Sequence, residues 1–191
     1  MSNIFWTSDT HYCHANVVKF DALPHASVEE MNEHRISIWN SQVKRGDTVY
    51  HLGDLSLGKL DETLKLLKRL NGRIHLIKGN HDHVIRKVIA ADINALAWVK
   101  DVAEVKVNDQ LIFMSHYAHR VWPKCHYGSW HLFGHSHGSM PPLGKSFDVG
   151  WNVHNRLLTF DDVAAIMETK TFEPTDRHTS DRVLLDQEPL F

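Results

Sequence analysis

Five apolar runs in this chain end in polar residues of the kind that bind metals, and this repeated coupling narrows the available folds more than any other feature. Ile4-Phe5-Trp6 runs into Thr7-Ser8-Asp9-Thr10-His11, Thr48 to Leu52 into Gly53-Asp54, and Arg73 to Lys78 into Gly79-Asn80-His81-Asp82. Leu111 to Met114 delivers Ser115-His116, and Trp130 to Phe133 delivers Gly134-His135-Ser136-His137. In open α/β sheets, groups at the carboxyl ends of strands meet in one crevice even when far apart in sequence. The third run is the most telling. A turn accounts for Gly79-Asn80, because both residues tolerate left-handed backbone angles, but no turn requires His81-Asp82 to follow.

The segments between these runs predict an α/β fold. Ser27-Val28-Glu29-Glu30 reads as a capping box that opens a helix. Val28, Met31, Ile38, Trp39 and Val43 fall roughly on one face, and Gly46 lies just past its end. Leu60, Leu64, Leu67 and Leu70 recur at helical spacing before Asn71-Gly72, with Lys65, Lys68 and Arg69 as the solvated side. After a helix near Val84 to Ala90 the pattern changes to strands. Val102 to Val107, the turn Asn108-Asp109 and Leu111 to Met114 form a hairpin, with Phe147 to Val149 as a last strand. Thr159-x-x-Asp162 opens a helix to about Glu168, and residues 169–191 read as a polar tail behind a single domain over residues 1–168.

Composition excludes several classes. A chain of 191 residues with 42% hydrophobic and 23% charged side chains suits one globular domain. A net charge of -2 argues against an extended nucleic-acid surface. The run Ile4 to Trp6 is too short for a membrane span or a signal peptide, so the expectation is a cytoplasmic protein. Cys13 and Cys125 form no C-x-x-C pair and read as reduced. Histidine is abundant, 16 residues, and imidazole is the commonest metal ligand.

Each fragment alone has a plain structural explanation. Asp9-x-His11 could be a helix cap beside a surface histidine, Gly53-Asp54 a turn, and His116 a hydrogen-bonded core residue. His135-x-His137 places two imidazoles on one face of an extended segment, which is a more specific metal signal. The coincidence of all five is the stronger evidence. Two divalent cations held close together need a bridging carboxylate, and Asp54 is the best candidate. Carboxylate, amide and imidazole donors without thiolate suit manganese, iron, zinc or nickel and do not select among them.

In order and spacing, Asp9-x-His11, Gly53-Asp54, Gly79-Asn80-His81-Asp82, His116 and Gly134-His135-x-His137 resemble the motifs of the calcineurin-like metallophosphoesterases, over about Ile4 to Val163. The blocks Thr7 to Asn16 and Tyr50 to Asp54 resemble a compact single-domain branch found in bacteria and phages. The resemblance implies a four-layer α-β-β-α sandwich of two mixed β-sheets flanked by helices. It also implies two divalent ions, one held by Asp9, His11, Asp54 and His137 and the other by Asp54, Asn80, His116 and His135. His81 would protonate the leaving oxygen, with Asp82 as its orienting partner, after in-line attack by metal-bound hydroxide on a phosphodiester or phosphomonoester.

The implied substrate is small and phosphorylated, with nucleotides among the candidates. His14, Arg120 and Lys124 are candidate substrate contacts, although exposed histidines and loop cations are most often simply solvated. Trp122, Tyr127 and Trp130 could stack on a base or pack the loop onto the sheet. His51, inside an apolar strand, reads as a core or supporting residue. Two other functions compete: a phosphoesterase-fold scaffold for protein binding, which would be marked by missing ligands, and a mononuclear iron oxygenase, which would hold one ion per chain.

Overall fold

A computed structural model describes residues 2–16, 25–141 and 143–171 of the chain. Strands β1 (Ile4–Thr7), β2 (Thr48–His51), β3 (Arg73–Ile77) and β4 (Trp98–Lys100) pair in parallel, and β9 (Leu158–Thr159) joins β1 antiparallel. The crossovers carry α1 (Val28–Gln42), α2 (Leu60–Arg69) and α3 (Ile85–Ala91). A second sheet holds β5 (Val102–Val107), β6 (Gln110–Ser115), β7 (Trp130–Phe133) and β8 (Ser146–Asp148), antiparallel at the β5-β6 hairpin and parallel from β6 to β8. The architecture is thus two mixed sheets with flanking helices. Because β1 to β3 run the same way, as do β6 to β8, each set sends its carboxyl ends to one edge.

The continuous apolar character of β1 to β3 follows from burial on both faces. Phe5, Val49, Ile74 and Leu76 pack outward with Trp39 of α1 and Leu66 of α2, while Trp6, Leu52 and Ile77 pack inward on Ile112, Met114 and Leu132. The Trp6 indole donates to Met114 Sδ at 3.3 Å, joining the sheets. Helix α5 (Phe160–Glu168) adds Val163 and Met167 to this inner core. On the far face of the second sheet, Phe113 meets Trp122 and Cys125, the latter in a 3₁₀ turn over Cys125–Tyr127.

Several details differ from the sequence reading. In α1 the buried face holds Met31, Arg35, Ile36 and Trp39, with Ile38 only partly covered. The rotation brings Arg35 inward, where its guanidinium donates to the Thr10 carbonyl and, at 3.2 Å, to Asn152 Oδ1. Ser27 caps α1 as expected, but the Glu30 carboxylate takes the N–H of Ala26 at 2.7 Å, one residue further back. In α2, Thr63, Leu66 and Leu67 are buried, while Leu60 and Leu64 are half-covered. Phe147 to Val149 is not the last strand, because β9 follows a one-turn helix α4 (Trp151–His154). β4, β9 and α4 are too short to show a period. The polar tail falls almost wholly outside the described residues. Among those described, no helix is long and apolar enough to cross a membrane, and neither Cys13 nor Cys125 is in a disulfide.

Candidate metal centre

The carboxyl ends of β1, β2, β3, β6 and β7 meet, and the side chains they carry form one cluster. Asp9, His11 and His137 can present one ligand atom each within 4.8 Å of one another, and so can Asp54, His116 and His135. Asp54 joins the two groups: its Oδ2 lies 3.4 Å from His11 Nε2 and 3.6 Å from His116 Nε2. Asn80 Oδ1 is 3.0 Å from His116 Nε2, and His137 Nε2 is 3.6 Å from Asp9 Oδ1. All seven sequence-predicted ligands therefore converge.

The glycines of the motifs are required by space. A Cβ on Gly79 would lie 2.2 Å from Asp54 Oδ1, one on Gly134 2.5 Å from Asp9 Oδ2, and one on Gly53 2.4 Å from His116 Nδ1. Asp9, His11, Asp54, His135 and His137 all take positive φ, between 43° and 66°. For non-glycine residues this conformation costs on the order of 1 kcal/mol each, so the surrounding hydrogen bonds must hold it. His11 N donates to the Asp54 carbonyl at 3.0 Å and Asp9 N to the Gly53 carbonyl at 2.9 Å.

The donor set fits cations. His11 Nδ1 faces the Asp9 carbonyl at 3.0 Å and His116 Nδ1 the Leu52 carbonyl at 2.8 Å. Each therefore carries its proton on Nδ1 and turns the Nε2 lone pair toward Asp54, the tautomer a metal ligand needs. Lone pairs of His116, Asn80 and Asp54 thus face one another at 3.0 and 3.6 Å, which is repulsive until a cation sits among them. Asp9 Oδ1 is buried with no hydrogen-bond donor, while Oδ2 accepts from Ser8 Oγ and, at 2.9 Å, from His135 N. Burial alone would raise the pKa of Asp54, but with a proton on Nε2 in place of a metal ion the His11 ring, together with the His81 N–H and the charge of His116, outweighs it and brings it to about 2. Asp9 is likewise lowered against its burial, by His137 and Ser8. His135 is lowered, first by desolvation and then by His116, which favours the neutral ring.

A family model of the calcineurin-like phosphoesterase superfamily domain matches residues 3–143. The chain belongs to this superfamily. It is 44% identical over 96 residues to an uncharacterised protein of Methanocaldococcus jannaschii, covering 49% of this chain and 54% of that protein. It is 38% identical over 85 residues to the gene 66 protein of Mycobacterium phage L5, covering 43% and 41%. These alignments span about half the length of the curated relatives or less. In fold it is similar to a protein of unknown function from Aquifex aeolicus, with a TM-score of 0.68, 19% identity, and coverage of 87% of this chain and 100% of that one.

Other expected residues of this phosphoesterase-superfamily site are placed as follows. The His81 imidazole is 46% exposed at the lip, with Nε2 4.0 Å from Asp54 Oδ2. Asp82, expected to orient His81, bonds backbone N–H groups instead. Its buried carboxylate accepts the N–H groups of Asp54 (2.9 Å), Leu55 (2.9 Å) and Gly79 (2.8 Å), stapling the loops after β2 and β3 together. Burial raises its pKa despite these bonds. The His14 ring lies 6.0 Å from that of His11. Arg120 lines a cavity of about 350 Å³ with Phe133, Met140 and Leu143, in which no candidate ligand takes part. Lys124 is exposed and precedes the 3₁₀ turn. His51 is wholly buried, its Nε2 on Thr10 Oγ1 at 2.9 Å.

Three residues were missed. Ser8 holds Asp9, Tyr117 stands over the second ligand group, and Asp148 accepts Ser136 Oγ (2.7 Å), Gly138 N (3.0 Å) and Gly150 N (2.7 Å), fixing the loop that carries His135 and His137. Only Asp148, at the end of an expected strand, carried a readable signal.

Proposed function

We propose that this chain is a metal-dependent phosphoesterase that hydrolyses a small phosphate mono- or diester at two divalent ions. The observation that carries the reading is the place of Asp54, whose Oδ2 lies between His11 and His116 at 3.4 and 3.6 Å and so joins two ligand groups. Asp9, His11, Asp54 and His137 would hold one ion, and Asp54, Asn80, His116 and His135 the other. Bound divalent ions neutralise phosphate oxygens and bring the pKa of water toward neutrality.

The protein's own part is to hold and to protonate. Asp54, Asp9 and the lone pairs of His11 and His116 are fixed before substrate arrives, so little reorganisation accompanies the reaction. His81, at the open lip, is the acid that gives a proton to the departing ester oxygen. With every ligand position filled, the scaffold alternative has no support from the site. Manganese is the ion we test first, iron, zinc and nickel fitting the same oxygen and nitrogen donor set, and the cytoplasm is the compartment that suits two cysteines outside any disulfide.

The chain is stripped with chelator, reloaded with Mn²⁺ and assayed on bis(p-nitrophenyl) phosphate. Hydrolysis that returns with Mn²⁺, at two ions per chain, is the expected result. One ion per chain at saturation overturns the two-ion reading, and no hydrolysis of either this diester or p-nitrophenyl phosphate with any of Mn²⁺, Fe²⁺, Zn²⁺ or Ni²⁺ overturns the enzyme.

A further inference from the structure

Two of the aromatic residues expected to stack on a base are engaged elsewhere. Trp122 is buried, its indole donating to the Ser129 carbonyl at 3.1 Å, and Trp130 stacks on Phe160 with ring centroids 5.7 Å apart. Tyr117 instead stands among the candidate ligands of the second ion. Its hydroxyl donates to Asn80 Oδ1 at 3.4 Å, and its ring meets those of His116 and His135 edge-on at 5.0 and 4.6 Å. Even so, 50% of it is exposed.

A cavity of about 370 Å³ opens there, with Asn80 and His116 among its walls. That volume is within the range of small-molecule sites and exceeds what a phosphate group fills. Its sides are Tyr117, His119, the half-exposed Val102 and the ion pair of Lys78 Nζ with Asp101 Oδ1 at 2.6 Å. Lys78 and Asp101 cancel, so the cavity has no surplus positive charge for a second phosphate. Two rings and an apolar edge are left for an uncharged planar group.

We propose that this cavity is the subsite for the organic half of the ester, that it takes an aromatic ring such as a nucleobase, and that Tyr117 is the residue that decides this specificity. The inference rests on the phosphoesterase reading and narrows its substrate class. A base stacked on an aromatic side chain is worth on the order of ten-fold in binding.

The test uses the full chain loaded with Mn²⁺. Inhibition constants of adenosine 5′-phosphate and ribose 5-phosphate are read against bis(p-nitrophenyl) phosphate hydrolysis; the two share the phosphate and sugar and differ in the base. The nucleotide should inhibit about ten-fold more tightly. Tyr117→Leu should bring the ratio to within about two-fold, and Tyr117→Phe, which keeps the ring, should retain it. Equal constants in the unaltered chain, or a ratio that survives Tyr117→Leu, overturn the subsite. If no ester is hydrolysed, the phosphoesterase reading fails instead, and calorimetric binding of the same two compounds still reads the ratio.

Discussion

Asp54 and His81 are close in space and differ in what their loss should do. A carboxylate shared between two ions cannot be removed from one of them alone, so Asp54→Asn should lower Mn²⁺ content at both positions; unaltered occupancy would remove it from the bridging role. His81→Ala should leave both ions in place and slow esters of poor leaving alcohols more than p-nitrophenyl esters, since only the former need the proton. Equal slowing of both would take His81 out of the acid role. The seven candidate ligands stood out because each closes an apolar run, and the glycines before Asp54, Asn80 and His135 were legible as motif members. Their backbone angles were not, since left-handed Asp and His are imposed by the neighbours they meet. Asp82 was misread because adjacency to His81 in sequence says nothing of the direction its carboxylate takes. With three backbone donors on its two oxygens, Asp82→Asn sets an amide N–H against at least one of them. It should cost about 1–3 kcal/mol of stability, seen as a lower urea midpoint at unchanged slope.

Among elements, the long crossovers and the hairpin were readable from caps, periodicity and the Asn108-Asp109 turn, whose residues both take positive φ. The short edge strands β4 and β9 and the single turn α4 carry too few residues for a pattern, and depend on their neighbours for pairing. Strand β8 has a second task. It ends in Asp148, which holds the backbone between His135 and Gly138, where His135, His137 and Gly138 all take positive φ. Supporting groups of this kind are worth roughly 10–100-fold in metal affinity. Asp148→Asn should therefore weaken Mn²⁺ binding about ten-fold while the circular dichroism of the apo chain stays the same. Ser136→Ala, which removes one of its contacts, should do so less. Full Mn²⁺ affinity in Asp148→Asn would show that the loop keeps its shape without this carboxylate.

For the molecule as a whole, two buried histidines set how stability responds to acid. Burial pushes both His51 and His131 down to about 3, from an ordinary value of 6.5. His51, the last residue of β2, stacks on Trp39, and His131 lies under the loop that follows His116, where its Nε2 accepts the His119 N–H at 3.0 Å. Between pH 3 and 6.5 the unfolded chain binds protons at these two positions and the folded chain does not. Stability is thus fully present above about pH 6.5 and falls as pH drops toward 3, by at most about 1.4 kcal/mol per pH unit for each histidine. The lowered carboxylates act in a separate window: Asp54, at about 2 in the fold against 3.8 when free, loses its contribution only below about pH 4. Urea unfolding of the chelator-treated chain from pH 7 to 4.5 reads a slope to which His135 and the raised carboxyl of Asp82 also contribute, so the His131 share is taken from a variant. The expected result is a steady fall in unfolding free energy, shallower by about 1.4 kcal/mol per pH unit in His131→Gln, whose amide replaces the imidazole but takes up no proton. A variant slope equal to that of the unaltered chain would mean that His131 is protonated within the fold, and that the loop after His116 opens to let water reach it.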